Sequence, residues 1–271
     1  TLHGRTEKEW HSIEFKLLDQ VREDGGEVKA SGYVYVPAGN PSFALISDMD
    51  DTIITTHATS LFQMLKLTLF NNAHTRLPFK GVAQFYSALK QGKGGTEKNP
   101  IFYVSSGPWN LYDLIIKFME AHAIPVGPLI MQDFGIDKFK FVKSAHIKHK
   151  TDVINRLLKF YPELPFILVG DSGERDPEIY AEIVKNKPGR IKVIYIRDVS
   201  RRKRKKEINE LSEKLQELGT DMILVENSLE AAVHAAFNKM ISMDALETIR
   251  RGKIKDEAAP ADVRQLFSKR S

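Results

Sequence analysis

The chain has no cysteine among its 271 residues. That excludes disulfides, thiolate nucleophiles and cysteine-built zinc sites. No apolar run approaches the ~20 residues that a helix needs to span a bilayer. No secretory leader is visible either, although the chain begins at Thr1 rather than Met. A cytoplasmic or peripheral-membrane location is the expectation, with export left open. Internal repeats and low-complexity tracts are absent. His57, His122, His146 and His149 show no metal-binding spacing of the HExxH kind.

What is present is ordinary for a globular protein. Hydrophobic residues make up 42% and charged residues 28%, enough apolar content for a sizeable core. The formal net charge of +5 favours anionic partners without choosing among nucleic acid, anionic lipid and phosphorylated metabolites.

Residues 10–36 alternate around "EDGGE" and read as a β-hairpin, or two short strands. After Pro37, Gly39 and Pro41 the pattern changes. Strand-length apolar runs at 43–48, 100–105, 165–170, 190–197 and 221–225 alternate with helical periods. The helical stretches are 58–71, 81–91, 109–121, 150–160, 176–186, 201–218 and 228–238. This order predicts an α/β fold with a parallel sheet covered by helices on both faces. The expected division is a β-segment over 1–41, either short or the end of a larger β-domain. A main domain follows over 42–251, with a polar, loosely held tail over 252–271.

Open parallel sheets bind ligands at the carboxyl ends of their strands. Those ends read "DMDDT" (Asp48 to Thr52), "SSGP" (Ser105 to Pro108) and "GDSGERD" (Gly170 to Asp176). Clustered carboxylates raise one another's pKa unless a cation lies between them. A hard divalent ion with oxygen ligands fits, and Mg²⁺ suits few carboxylates plus a phosphate oxygen. Asp48, Asp171 and the Asp50 carbonyl are the ligand candidates. An aspartate beside a metal can also attack phosphorus. A second carboxylate two residues along can protonate the leaving oxygen and later deprotonate water. Asp48 and Asp50 fit those two roles, and Ser105 and Ser106 can hold the remaining phosphoryl oxygens. An EF-hand is excluded, because "DMDDTIITTHAT" lacks Gly at position six and Glu at position twelve. Asp51 reads as a turn or helix-cap residue.

These residues resemble the haloacid dehalogenase superfamily of aspartyl-phosphate phosphatases. The DxDxT motif is Asp48, Asp50 and Thr52; the serine motif is Ser105; the GDxxxxD motif is Asp171 and Asp176. The resemblance implies a Rossmann-like sheet with a small cap. A narrower likeness rests on "ISDMDDTIITT", "FYVSSGPWNLYDLI", "HKTDVI", "FILVGDSGERDPEIYAEIV" and "VIYIRDVS". Over roughly residues 30–240 the chain is similar to the catalytic domain of the actin-patch-associated, magnesium-dependent phosphatidate phosphatases. That likeness implies hydrolysis of phosphatidate to diacylglycerol and phosphate, peripheral contact with anionic membrane, and no role for nucleic acid. Gly107 departs from the expected serine before Pro-Trp, which lowers the hydroxyl count of the phosphate loop. A soluble phosphomonoester and a non-catalytic phospholipid-binding module are the competing readings.

The expected site is Asp48, Asp50, Ser105 and Lys150 for catalysis, with metal on Asp48, Asp50, Asp171 and Asp176. Thr52, Ser106, Gly107 and Lys148 contact substrate. Three lysines precede the last motif: Lys143, Lys148 and Lys150. Lys150 is preferred because it opens the helix at 150–160, where an anion is also favoured. Asp176, or failing that Glu174, orients metal-bound water or pairs with the lysine. "DKFKFVKSAHIKHK" (137–150) reads as a half-buried strand, with a basic rim for a lipid headgroup as the alternative. "RRKRKK" (201–206) and "LFQMLKLTLF" (61–70) read as a solvated helix face and a packing segment. Trp109, Asn110 and Tyr112 read as an amphipathic helix docking its aromatics.

Overall fold

The computed structural model describes residues 8–49, 81–132, 143–199 and 202–258. In chain order the strands are β1 (Trp10–Val21), β2 (Glu27–Tyr35), β3 (Ala44–Asp48), β4 (Ile101–Pro108), β5 (Leu129–Gln132), β6 (Phe166–Asp171), β7 (Ile191–Arg197) and β8 (Asp221–Val225). The described helices are α1 (Val82–Gln91), α2 (Tyr112–Ala121), α3 (Lys143–Phe160), α4 (Asp176–Asn186), α5 (Arg202–Gln216), α6 (Ser228–Phe237) and α7 (Ala245–Ala258).

All of β3 is buried, as are the first four residues of β6. Strands buried on both faces belong in a parallel sheet between two helical layers. The sheet runs β5-β4-β3-β6-β7-β8, every neighbouring pair parallel. Successive side chains alternate between faces. Leu45, Tyr103, Ile167, Val169 and Tyr195 meet α1, α2, α6 and α7 through residues such as Phe85, Met119, Ala232 and Ile249. Ile46, Phe102, Val104, Leu168 and Ile194 meet α3, α4 and α5 through Ile154, Ile183 and Ile208. Each such large apolar side chain contributes about 1.5–3 kcal/mol on full burial.

β1 and β2 form a separate antiparallel ribbon, in register from Trp10↔Tyr35 to Lys16↔Lys29. Its turn uses Gly25 at φ 76°, a left-handed backbone that glycine adopts without strain. Tyr35 packs edge-on against Phe102, and Lys90 pairs with Glu9 at 2.7 Å. Phe102 lies at the start of β4 and Lys90 at the end of α1, so the ribbon leaves from the amino-terminal edge of the sheet.

The five expected strands and the hairpin are present. Three readings need correction. The short edge strand β5 was not anticipated; four residues between turns carry too little period to register. The stretch 143–150 is helical, not a strand. The alternating Lys and Phe of 138–141 suggest period two, but that alternation stops at Lys143, and Ala145 with the three lysines of 143–150 favours a helix. The tail from 252 is helical as far as Ala258, because α7 is anchored by buried Ile249. Its backbone crosses α1 so closely that a Cβ at Gly81 would stand 3.2 Å from the Ile249 carbonyl. The helix expected at 58–71, the segment 61–70, the small cap, residues 137–142 and the last residues of the tail lie outside the described residues.

Candidate active site

Asp48 ends β3 and keeps only 6% of its surface exposed. The strand end is fixed from both sides. Ser47 Oγ lies 2.7 Å from Tyr86 Oη and donates to the Asp48 carbonyl at 3.0 Å, while Met49 N–H donates to the Val104 carbonyl at 2.9 Å. A carboxylate held this deep needs a compensating charge.

Lys150 supplies one. Its Nζ lies 2.7 Å from Asp48 Oδ1, 2.5 Å from Asp176 Oδ1 and 3.4 Å from Glu174 Oε2. The lysine side chain is 3% exposed and Asp176 is fully buried. Lys150 sits two turns inside α3, not at the helix start. It reaches the cluster because α3 lays this side of its surface over the carboxyl ends of β3 and β6. Lys148 is exposed and is not brought to the cluster.

Asp176 opens α4, where the helix dipole favours a carboxylate. Its second oxygen accepts the Asp171 N–H at 3.1 Å. The fit depends on Gly170, since a Cβ there would stand 2.2 Å from Asp176 Oδ2. Asp171 Oδ1 accepts N–H bonds from Gly173 at 2.7 Å and Glu174 at 3.0 Å, which shapes the acidic loop. Burial first, and then the charge of Asp176, push the Asp171 carboxyl above its usual range. The two N–H bonds and Lys150 pull the other way.

Ser105 is 3% exposed and its Oγ accepts the Gly107 N–H at 3.0 Å. Against β5, Val104 pairs with Ile130 but Pro108 pairs with Gln132. The residues between therefore bulge from β4, and bulges re-aim side chains at sheet rims. The phosphate loop expected after β4 is such a bulge. The glycine at 107 has a local reason: a Cβ there would meet Ser105 Oγ at 3.0 Å. Ser106 lies in the bulge. Asp50 and Thr52 lie outside the described residues.

One ligand oxygen from each of Asp48, Glu174 and Asp176 lies within 4.8 Å of the others. With Asp171 beside them, carboxylates outnumber the lysine ammonium in a buried space. The donors are all hard oxygens and the charge is in excess, so the group fits a divalent cation. Glu174 is not among the expected ligands; the sequence offers it only as a stand-in for Asp176 beside the lysine or a metal-bound water. Arg204 was not anticipated as part of the site: the run of basic residues carried no sign of its direction. It donates to the Ser172 carbonyl at 3.3 Å, the Glu174 carbonyl at 3.1 Å and Glu178 Oε2 at 2.8 Å. Lys205 pairs with Asp198. Two residues of that six-residue run are therefore committed to structure.

A family model described as "Phosphatidate phosphatase APP1, catalytic domain" matches residues 43–198. The Saccharomyces cerevisiae protein named Phosphatidate phosphatase APP1 is 32% identical over 153 residues, 56% of this chain and 25% of that protein. The Schizosaccharomyces pombe protein named Uncharacterized protein C29B5.04c is 26% identical over 191 residues, 69% of this chain and 30% of that protein. The chain thus spans about a quarter to three tenths of the length of these curated relatives. The matched region contains Asp48, Ser105, Lys150, Asp171, Glu174 and Asp176, and more than half of the sequence, so the chain belongs to the phosphatidate phosphatase APP1 catalytic-domain family.

Proposed function

We propose that this chain is the catalytic domain of a Mg²⁺-dependent phosphatidate phosphatase that works through an aspartyl-phosphate on Asp48. The observation that carries the reading is the buried Asp48–Lys150–Asp176 cluster at the carboxyl edge of the sheet. Lys150 sets a positive charge 2.7 Å from Asp48, which favours the carboxylate form that attacks phosphorus.

Asp48, Asp171, Glu174 and Asp176 are the residues that would hold Mg²⁺, with the Asp50 carbonyl. Bound there, the ion would supply charge to offset the phosphoryl oxygens. An Asp48 oxygen attacks phosphorus, and the bond from phosphorus to the glycerol oxygen breaks. Its electron pair leaves on the diacylglycerol oxygen, which takes a proton from Asp50. Water then attacks the phosphorus of the acyl phosphate and gives its proton to Asp50. Phosphate departs and the Asp48 carboxylate is restored. Lys150, Ser105 Oγ and the N–H groups of the β4 bulge are suited to hold the phosphoryl oxygens. The name of the Saccharomyces cerevisiae relative, Phosphatidate phosphatase APP1, supports phosphatidate as the substrate.

The test is phosphate release with Mg²⁺ from phosphatidate in mixed micelles, compared with glycerol-3-phosphate and para-nitrophenyl phosphate. Asp48→Asn is the blank. Preference for phosphatidate that the substitution abolishes is the expected result. Turnover of the soluble esters alone keeps the mechanism and overturns the substrate. No turnover of any ester leaves a non-catalytic phospholipid-binding module. Asp50→Asn is expected to accumulate phosphorylated protein, which such a module would not do.

A further inference from the structure

The carboxyl edge of the sheet carries two features that the reaction does not use, one on each side of the site. Beyond β4, Trp109 is 48% exposed and stacks on Tyr112 with ring centroids 5.6 Å apart. Beyond β7, α5 starts with Arg202, Lys203, Arg204, Lys205 and Lys206. β7 and β8 are parallel neighbours, so the helix joining them begins at the same edge where β3 and β6 end. Arg204 and Lys205 are taken by Glu178 and Asp198. Arg202, Lys203 and Lys206 are exposed, Lys206 with only a long surface pairing to Glu210 at 3.8 Å, and the acidic residues of α5 come only from Glu207 onward, further from the edge. β3 and β6, which present Asp48 and Asp171, lie between the two features. At ~4.8 Å per strand the flanks stand roughly 15 Å apart.

We propose that this edge is a membrane-docking face, with Trp109 and Tyr112 entering the interface of an anionic bilayer and Arg202, Lys203 and Lys206 seated on its headgroups. The inference rests on the phosphatidate reading above and names how such a site meets its substrate. Three arguments favour a bilayer over an acidic protein. The cations and the aromatic pair share one edge, and they bracket the site whose substrate must come from that surface. A half-exposed tryptophan with a stacked tyrosine is the pairing that interfaces select, an apolar body with a polar tip. Cations clustered at the first turn of a helix oppose its dipole, a local cost that an anionic surface offsets. Most other exposed apolar residues stand elsewhere. Phe15, Leu18, Val21 and Tyr33 belong to the ribbon, and Phe160 and Phe237 end α3 and α6, all at the opposite edge of the sheet.

The test compares the protein with the triple variant Arg202→Ala/Lys203→Ala/Lys206→Ala. Sedimentation with phosphatidylcholine vesicles, with and without phosphatidylserine, reads binding without turnover. Each cation is expected to contribute about fivefold, so the variant loses roughly a hundredfold in partition onto the anionic vesicles. Binding of the parent falls as salt rises. In a Trp10→Phe background, Trp109 is the sole tryptophan, and its emission shifts to the blue on anionic vesicles. Hydrolysis of a short-chain phosphatidate that stays monomeric in water is unchanged by the triple substitution, while hydrolysis of vesicle-borne phosphatidate falls with binding. Equal partition of parent and variant, or Trp109 emission indifferent to vesicles, overturns the proposal. So does equal loss on the monomeric substrate, which would make these cations part of the site. If phosphatidate is hydrolysed in neither form, the enzymatic reading fails, and the sedimentation result still reports on the surface.

Discussion

Lys150 Nζ and Asp48 Oδ1 lie 2.7 Å apart with both side chains 3% exposed. An ion pair this deep contributes little against an apolar pair of the same shape, because both ions are desolvated. Removing one partner is another matter. Lys150→Met would take the ammonium from between Asp48, Asp176 and Glu174. The expected loss is about 3 kcal/mol, the lower end for breaking a buried pair, since the carboxyls can take up a proton. Urea unfolding in EDTA measures it. Added Mg²⁺ should recover much of the stability but not phosphate release. A variant as stable as the parent in EDTA would show that Lys150 does not balance the cluster.

Gly170→Ala tests the same cluster from below. The new Cβ meets Asp176 Oδ2 at 2.2 Å, so either the carboxylate or strand β6 must move. Overpacking of this kind costs about 1–3 kcal/mol. The displaced Asp176 also gives up Lys150 and the Asp171 N–H. Activity and the Mg²⁺-induced rise in melting temperature should fall together. A variant that loses stability but keeps its full Mg²⁺ response would place Asp176 outside the metal's reach.

Much of this arrangement was legible in the sequence because strand ends in a parallel sheet share one edge. Asp48, Ser105 and Asp171 could be grouped with no knowledge of distance. Choosing among Lys143, Lys148 and Lys150 was harder. The lysine that lies against Asp48 and Asp176 was reached through a wrong helix start, since the polar opening of α3 has no apolar period to mark it. Glu174 and Arg204 were obscured for a different reason. A loop's internal turn decides which carboxylate points inward, and that turn is set by the N–H bonds to Asp171. The course of α7 was hidden because buried Ile249 and close contacts at Gly81 and Gly252 hold an otherwise charged helix.

His234 offers a pH dependence away from the site. Its Nδ1 lies 2.9 Å from Tyr195 Oη, and burial lowers its pKa, with Asp221 opposing. In the unfolded chain it titrates near 6.5. Between that value and its lower folded pKa, the unfolded state binds more protons. Stability is therefore full above the unfolded pKa and declines as pH falls through it, levelling out below the folded pKa. His234→Gln should flatten this decline, by less than about 1 kcal/mol given its partial exposure. Urea midpoints measured from neutral pH downward decide it. Parallel slopes for parent and variant would remove His234 as the cause.

Arg204 fixes the acidic loop without touching a reacting group. It grips Glu178 with two nitrogens, and its donors also reach the Ser172 and Glu174 carbonyls. The fork is what matters, because a lysine cannot span a carboxylate and two carbonyls at once. Arg204→Lys keeps the charge and loses the geometry; Arg204→Met loses both. If the loop's shape sets metal affinity, both variants need more Mg²⁺ for half-maximal activity, by about tenfold for a weakened supporting contact. At saturating Mg²⁺ the turnover number stays near the parent's. Mg²⁺ binding by calorimetry should weaken in step. Rescue by lysine alone would mean that Arg204 acts through its charge on the site. An unchanged Mg²⁺ requirement in both variants would reduce the residue to a structural clamp between α4 and α5.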